Sequence, residues 1–174
     1  MTIVPCTRAQ APEILAIFND AILHTTALYE YQPRTLEFMA AWFDIKEHNR
    51  FPVLGAFADN GSLAGFATYG SFRALPAYHH TVEHSIYVHP DHRRHGIART
   101  LLRELIVAAQ AQDFHVLVGV IDSANTPSIA LHHDFGFTPA GTLRQVGFKF
   151  GRWLDVDFYQ LVLATPAQPK EQRP

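Results

Sequence analysis

The stretch that decides the fold is Tyr87–Leu105, YVHPDHRRHGIARTLLREL. An apolar run is followed by basic residues, and Gly96 stands just before a segment whose apolar residues recur at helical spacing. The first amides of a helix lack partners inside the helix, and the helix dipole is positive at that end. Because Gly96 and Ala98 have minimal side chains, a diphosphate can approach the backbone there, and Arg93 and Arg94 add positive charge. The stretch therefore predicts a strand, an anion-binding turn and a helix in succession.

The turn differs from the two best-known phosphate-binding motifs. It has no Gly-Lys-Ser/Thr sequence, which excludes a P-loop. It also has only one of the three glycines that the dinucleotide-binding fingerprint requires. From spacing alone, a basic helix start with a small residue for packing explains the same pattern equally well.

Length and composition favour a single globular domain. The chain has 174 residues, 48% of them apolar, and a net charge of -2. We expect one domain over residues 1–164 and a disordered, Pro-rich tail over 165–174. The charge gives no reason to expect nucleic acid or an anionic membrane as a partner, and no apolar run approaches the roughly 20 residues that span a bilayer. The single cysteine, Cys6, excludes an internal disulfide and favours a cytoplasmic location.

The sequence predicts eleven helices and strands. They are a strand over 2–6, helices over 9–23 and 33–48, a hairpin over 51–72, a strand over 81–90, a helix over 95–112, a buried strand over 115–122, a helix with Thr126 as N-cap that stops at Gly136, and two strands over 141–163 around Gly151. The order β-α-α-β-β-β-α-β-α-β-β indicates an α/β (α+β) fold, a mixed sheet with helices on its faces. The strand–helix–strand unit around Gly96 predicts parallel pairing, and the hairpins predict antiparallel pairing.

Several motifs together resemble one enzyme family. RRHGIA, residues 93–98, resembles the Arg/Gln-x-x-Gly-x-Gly/Ala acetyl-CoA signature of the GNAT N-acetyltransferase superfamily. TVEHSIYV, NTPSIALHHDFGF and GTLRQVGFKFGRWLDVDFYQ are similar to its phosphinothricin and methionine sulfoximine acetyltransferase branch, and the similarity runs from Ile3 to about Leu163. The resemblance implies the GNAT fold, a mostly antiparallel central sheet with helices on both faces and a splayed parallel strand pair. It also implies acetyl-CoA as the cosubstrate.

The resemblance further implies which residues bind the coenzyme. The loop before the third helix grips the pyrophosphate, and the backbone of the preceding strand bonds the pantetheine arm. The residues implied are Ile86, Tyr87, Val88, Arg93, Arg94, His95, Gly96, Ile97 and Ala98, with Asn125 and Ser128 near the pantetheine. Without the resemblance, Asn125 is a turn residue and Ser128 belongs to the first turn of a helix.

Glu83 is the best candidate for the catalytic base. Acetyl transfer to an amine needs a proton acceptor, because the neutral amine is the nucleophile. Glu83 lies in TVEHSIYV, and with a period of two it shares a strand face with Ser85 and Tyr87. A carboxylate in a mainly apolar strand is costly unless it is partnered or functional. The resemblance also implies a catalytic role, direct or through a water; an edge-strand charge or a structural ion pair is the alternative.

His132 is the second catalytic candidate. In the wider superfamily a tyrosine follows the Leu of Asn-x-x-Ala/Ser-x-x-Leu as the acid for the thiolate, and His132 stands at that place here. An imidazole can donate or accept a proton near neutral pH, so both an acid and a base role remain open. The alternative is a partly buried helix histidine that bonds to the backbone. His133, one position further round the helix, is expected to be exposed.

Arg73 is the candidate for recognition of the acceptor. Its guanidinium is suited to a bidentate grip on a carboxylate, although a solvated loop charge is as common for arginine. Phe72 and Tyr78 are predicted walls of the acceptor site, with Glu83 beside them. The resemblance implies a second wall between the first two helices, where superfamily members build the acceptor pocket, and Tyr29 and Glu30 lie there. The resemblance implies a homodimer, and GFKFGRWLDVDFYQ is a candidate contact, although core packing explains its aromatic residues equally well.

The eleven histidines do not predict a metal site. His79-His80 and His132-His133 are adjacent rather than four apart, so the helical pair cannot face one ion well. The sequence also contains no HExxH motif. We therefore expect no metal.

The sequence thus predicts an acetyl-CoA-dependent N-acetyltransferase for the α-amino group of a small amino acid or analogue, such as phosphinothricin, methionine sulfoximine or methionine sulfone. A transferase for protein N-termini, lysine side chains or polyamines is an alternative within the enzyme class. A non-catalytic coenzyme A sensor is an alternative outside it. A polyamine site should be acid-rich, and TRAQAPEILAIFND and ALYEYQPRT are not.

Overall fold

The computed structural model describes residues 1–171. Its helices and strands follow the predicted order. They are β1 (Thr2–Pro5), α1 (Ala11–His24), α2 (Leu36–His48), β2 (Val53–Phe57), β3 (Leu63–Ser71), β4 (Thr81–Val88), α3 (Ile97–Ala111), β5 (Val116–Asp122), α4 (Thr126–Asp134), β6 (Thr138–Lys149) and β7 (Arg152–Val162). Within residues 1–171, none of the helices has the length and apolar character needed to cross a membrane.

The strands form one mixed sheet in the order β1-β2-β3-β4-β5-β7-β6. β1 with β2, β2 with β3, β5 with β7 and β6 with β7 pair antiparallel, whereas β4 and β5 pair parallel. The predicted mixed, mostly antiparallel sheet is therefore confirmed. The parallel register runs from Thr81↔Val116 to Glu83↔Val118. Both strands continue beyond that segment, β4 to Val88 and β5 to Asp122.

The chain divides into two compact units. The first contains Met1–Thr68 and Ser85–Leu105, and the second contains Tyr69–His84 and the described residues from Ile106 onward. A single domain over residues 1–164 therefore stays a prediction. The predicted disorder of the tail also stays a prediction, and residues 172–174 lie outside the described residues.

The core of the first unit confirms the helical pattern read from α1. Ile14, Ile17 and Phe18 are buried, as the spacing predicts. They pack with Met39 and Phe43 of α2 and with apolar residues of β2 and β3. Complete burial of such a side chain contributes roughly 1.5–3 kcal/mol, so this cluster holds α1 and α2 against the strands.

Two helix starts differ from the prediction. α2 begins at Leu36 rather than at Pro33, because the Thr35 hydroxyl accepts a hydrogen bond from the Phe38 amide at 3.2 Å and so acts as the N-cap. The N-cap of α4 is Asn125, not Thr126. The Asn125 side chain accepts from the Ser128 amide at 3.2 Å, which moves Thr126 into the helix.

The second unit is built on the antiparallel ladder β5-β7-β6. At the turn between β6 and β7, Phe150 and Gly151 have φ angles of 50° and 72°. Two left-handed residues in succession match the right-handed twist of the flanking strands, so the predicted hairpin around Gly151 is confirmed. β6 starts at Thr138, a little before the predicted residue 141.

Candidate active site

The turn between β4 and α3 has the backbone that a bound anion requires. Gly96 has a φ of 74°, a conformation that glycine adopts without strain, and a Cβ placed there would meet nothing within 4 Å. The first helical bond near the turn runs from the Thr100 amide to the Gly96 carbonyl at 3.1 Å. The amides of Ile97 and Ala98 come earlier and have no acceptor within the helix. The turn therefore presents donors and the positive end of a helix dipole beside an open glycine.

The two arginines of the turn are placed differently. Arg93 pairs with Asp20 of α1, with 3.0 Å between Nη2 and Oδ2, so part of its charge is already neutralised. Arg94 is exposed and has a φ of 65°, and His95 is also exposed. Arg94 is therefore the better placed of the two for a solvent-borne anion. All of these residues keep their coenzyme role as a prediction.

The last residues of β4 lie close to β3. A Cβ at Gly65 would lie 2.8 Å from the Tyr87 carbonyl oxygen and 3.2 Å from the Val88 Cα, so only glycine fits. The Tyr87 ring packs edge to face against Phe18, with 5.1 Å between ring centroids. The side chain of Tyr87 therefore belongs to the core of the first unit. Sequence reasoning missed Gly65, because its requirement arises from a strand distant in sequence.

Glu83 lies on β4 and is half-buried. Burial raises the pKa of its carboxyl group, and the Arg73 guanidinium lowers it in part. The net increase brings the proton affinity of the carboxylate closer to neutrality, where a general base works best. The catalytic role of Glu83 stays a prediction.

Arg73 and the predicted walls of the acceptor site lie together in the second unit. The exposed Arg73 donates from Nη1 to the Phe72 carbonyl at 2.9 Å, and its guanidinium lies 4.3 Å from the centre of the Phe72 ring. The Phe72 and Tyr78 rings meet edge to face at 5.8 Å. Because Arg73 also acts on the Glu83 carboxylate, the structure brings these four predicted residues together.

The second predicted wall lies in the first unit. Tyr29 is exposed, and the Glu30 carboxylate pairs with Arg34. The Arg34 guanidinium lies between two rings, 4.1 Å from the centre of Phe18 and 4.5 Å from that of Phe38. Glu30 is therefore committed to a structural ion pair, and its contact with a substrate stays a prediction.

His132 is buried and makes two hydrogen-bond contacts. Its Nδ1 lies 2.7 Å from the Ser128 carbonyl oxygen, and its Nε2 lies 2.8 Å from Nε2 of His84. Burial lowers the pKa of His132, and the Ser128 carbonyl raises it in part. Burial lowers the pKa of His84 to about 3, with a smaller contribution from His132. His133 is exposed, as predicted.

Sequence reasoning missed His84, although the alternation of β4 contained a signal. Val82 and His84 share the buried face of the strand, opposite to Glu83. Because His132 contacts His84, the two predicted catalytic side chains, Glu83 and His132, lie on opposite faces of β4. Asn125 and Ser128 are engaged in the cap of α4, which is the alternative role that the sequence left open.

Within residues 1–171, no three His, Cys, Asp or Glu side chains come together in a way that could hold a metal ion.

The mixed sheet with its one parallel strand pair, and the strand–turn–helix unit around Gly96, match the fold that the motifs imply. The model of the acetyltransferase (GNAT) family matches residues 15–137, and the chain belongs to this family.

Similar proteins point to the same chemistry. An L-methionine sulfoximine/L-methionine sulfone acetyltransferase of Pseudomonas paraeruginosa is 46% identical over 89% of this chain and 90% of its own. A phosphinothricin N-acetyltransferase of Streptomyces viridochromogenes is 38% identical over 98% of this chain and 92% of its own.

Solved structures share the fold. One from Acinetobacter baylyi ADP1 has a TM-score of 0.97 and 54% identity, and covers 98% of this chain and 97% of its own. A GNAT superfamily phosphinothricin acetyltransferase from Sinorhizobium meliloti, solved in complex with acetyl-CoA, has a TM-score of 0.94 and 35% identity, and covers 98% of this chain and 93% of its own.

The buried histidines predict that stability depends on pH. The ordinary pKa of 6.5 applies to His84 in the unfolded chain, whereas its pKa in the folded chain is about 3. Between these values the unfolded state binds one more proton, so the free energy of unfolding falls by about 1.4 kcal/mol per pH unit as the pH drops. Urea titrations at pH 7 and at about pH 5 should show a shallower fall for His84→Gln than for the wild type.

The control for this measurement is His133→Gln, which changes the exposed neighbour of His132 and should retain the wild-type slope. If the free energy of unfolding fell equally with pH in the wild type and in His84→Gln, a neutral, buried His84 would be contradicted.

Proposed function

We propose that the enzyme transfers the acetyl group of acetyl-CoA to the α-amino group of a small amino acid or analogue, such as methionine sulfoximine, methionine sulfone or phosphinothricin. The observation that carries the proposal is the half-buried Glu83 on β4, the strand that leads directly into the Gly96 turn. The Arg73 cation near Glu83 supports a carboxylate-bearing acceptor. The activities named for the Pseudomonas and Streptomyces relatives support the same class of acceptor.

The turn residues fit the diphosphate of acetyl-CoA. The amides of Ile97 and Ala98 are the proposed donors, Arg94 supplies charge, and Gly96 leaves the approach open. Ile86, Tyr87 and Val88 are proposed to align the pantetheine arm along β4. When bound, acetyl-CoA supplies the thioester that donates the acetyl group.

Glu83 is proposed to take the proton of the acceptor, either directly or through a water. An amino acid arrives as an ammonium ion, and its nitrogen has no lone pair until that proton is removed. The free amine then forms the new carbon–nitrogen bond as the carbon–sulfur bond breaks, and the second proton of its nitrogen passes to the leaving thiolate, so that the products are the amide and the free thiol of CoA. The raised pKa of Glu83 makes its carboxylate a stronger base than an exposed glutamate.

Arg73 is proposed to hold the carboxylate of the acceptor. Its guanidinium is exposed and rests on the Phe72 ring, so its outer donors face solvent. A cation beside the proposed base also disfavours a polyamine, because like charges repel.

We also propose a single domain over residues 1–164, a cytoplasmic location and a homodimer. The lone cysteine supports the location. Exposed apolar side chains of β6, β7 and the turn between them support a contact between copies, because patches of this kind mark interaction sites. They are Leu143, Val146, Phe148, Phe150 and Trp153.

A comparison of acceptors tests the proposed substrate class. Steady-state rates with acetyl-CoA should give the highest kcat/KM for small amino acids, methionine sulfoximine, methionine sulfone or phosphinothricin. A peptide N-terminus, a lysine peptide or a polyamine with a higher kcat/KM would contradict this class. Binding of acetyl-CoA without turnover of any acceptor would instead favour a sensor.

Glu83→Gln should reduce kcat by about a hundredfold or more, because general-base catalysis typically contributes 10²–10⁴-fold. Calorimetry should show that acetyl-CoA affinity is retained. Glu104→Gln, a change at an exposed glutamate of α3, is the control and should have wild-type kcat. Normal turnover by Glu83→Gln would remove the base assignment.

Gly96→Val should weaken acetyl-CoA binding by about tenfold or more, because a β-branched side chain strains the left-handed turn and covers the anion-binding amides. Gly61→Val is a matched control, since Gly61 has a φ of 84° and also faces open space, but lies between β2 and β3. Unchanged affinity in Gly96→Val, measured by calorimetry on folded protein, would refute the diphosphate assignment.

Arg73→Ala should raise the KM for the amino acid acceptor by about tenfold, which corresponds to about 1.4 kcal/mol and is close to the lower end of the range for a charge-assisted hydrogen bond. The KM for acetyl-CoA should stay unchanged. Arg103→Ala, at an exposed position of α3, serves as the control. If the acceptor KM is unaffected, another residue binds the carboxylate.

A further inference from the structure

The contact between His84 and His132 lies where the parallel register of β4 and β5 ends. The last registered pair is Glu83↔Val118, and the next residues on the two strands are His84 and Gly119. A Cβ at Gly119 would lie 3.1 Å from Nε2 of His132 and 3.1 Å from Cε1 of His84. The two imidazoles therefore occupy the space over Gly119, and a larger side chain at that position would displace them.

The partners of His132 fix the position of its hydrogen. A carbonyl oxygen can only accept, so the 2.7 Å contact with the Ser128 carbonyl places the hydrogen of the neutral ring on Nδ1. Nε2 of His132 then has a lone pair. The 2.8 Å contact between the two Nε2 atoms still requires one hydrogen, and His84 must supply it. His84 is therefore the Nε2–H tautomer, and it donates to His132.

The remaining ring nitrogen agrees with this arrangement. Among residues 1–171, no hydrogen-bond partner of ordinary geometry reaches Nδ1 of His84, as expected for a nitrogen without hydrogen. The backbone of Val118 raises the pKa of His84, but burial has the larger effect and the net pKa is lowered. The side chains of His84 and His132 are both at least nine-tenths buried, so a charge on either would be costly.

The surroundings of the pair are apolar. The Phe137 ring lies 5.3 Å from His84 and 5.0 Å from His132, measured between ring centroids. Tyr159 is a titratable neighbour of the pair, and the centroid of its ring lies 6.5 Å from that of His132. Both ring nitrogens of His132 also take part in hydrogen bonds already, Nδ1 with the Ser128 carbonyl and Nε2 with His84. A direct proton transfer by His132 would therefore require one of its two hydrogen bonds to break.

We propose that His84 and His132 are positioning residues: the hydrogen bond between their Nε2 atoms ties α4 to β4 across β5 and holds Glu83 at the end of the parallel register. Glu83 immediately precedes His84, so a shift of His84 is transmitted to the Glu83 backbone. His132 also bonds to Ser128, so the same pair steadies the first turn of α4. The positioning role rests on the proposed function of Glu83, whereas the direction of the hydrogen bond does not.

Two substitutions of His84 separate the hydrogen bond from mere packing. His84→Leu keeps a similar volume but has no donor, whereas His84→Gln keeps an N–H that can donate to His132. His84→Leu should lower kcat by between about tenfold and a hundredfold, because small displacements of catalytic groups have effects of this size. His84→Gln should recover most of that loss. His133→Leu, at the exposed neighbouring position, should have wild-type kcat.

The pH profile of kcat distinguishes positioning from proton transfer. In both His84 variants and in His132→Gln the profile should keep its wild-type shape and lose only amplitude. Loss of one limb of the profile in His132→Gln would overturn the proposal, because it would show that His132 exchanges a proton during turnover. A kcat for His84→Gln as low as that for His84→Leu would overturn it as well.

The hydrogen bond itself is tested without turnover. Nitrogen-15 imidazole spectra of the wild-type protein at neutral pH should show hydrogen on Nδ1 of His132 and on Nε2 of His84. The opposite tautomers, or a doubly protonated ring, would overturn the proposal even if no variant folds. If Glu83→Gln turned over normally while these tautomers were observed, the base assignment would fail and the hydrogen bond would stand.

Discussion

The parallel pairing of β4 with β5 determines how the chain is connected around the Gly96 turn. Parallel neighbours cannot be joined by a tight turn, so the chain must leave β4, form a crossover helix and return. That crossover is α3, and its first turn is where backbone amides lack partners. The left-handed Gly96 lets the chain change direction just before the helix begins. The turn that is proposed to bind the diphosphate is therefore a consequence of the topology.

The same strand places two different polar groups on its two faces. Glu83 is half-buried beside the Arg73 cation and has a raised pKa, so it can be both ionised and basic. His84, on the opposite face, is buried among apolar groups and stays neutral. One residue is suited to accept a proton and the next is suited to hold a position. The proposed base and the proposed positioning residue are therefore neighbours in the sequence of β4.

Local patterns made much of this structure predictable. The order of helices and strands follows from hydrophobic periodicity, and the Gly96 and Gly151 turns follow from the conformational freedom of glycine. The grouping of Phe72, Arg73 and Tyr78 near Glu83 also followed from sequence, since three of them lie in one loop. The helix starts were less predictable. Thr35 and Asn125 each compete with nearby residues for the capping position, and only the three-dimensional arrangement decides between them.

What the sequence could not show arises from contacts between distant segments. The His84–His132 bond joins residues 48 positions apart, and the need for glycine at Gly65 and Gly119 arises only where another strand or side chain approaches. A histidine in isolation could be an acid, a base or a core residue. The contact with His84 occupies Nε2 of His132, and the sequence around His132 does not show this contact.

A crystal structure of the protein with bound acetyl-CoA tests the proposed diphosphate site. Oxygens of the diphosphate should lie within hydrogen-bond distance of the Ile97 and Ala98 amides, with the pantetheine arm running along β4. A well-defined diphosphate bound elsewhere on the protein, with those amides bonded to solvent, would contradict the proposed site.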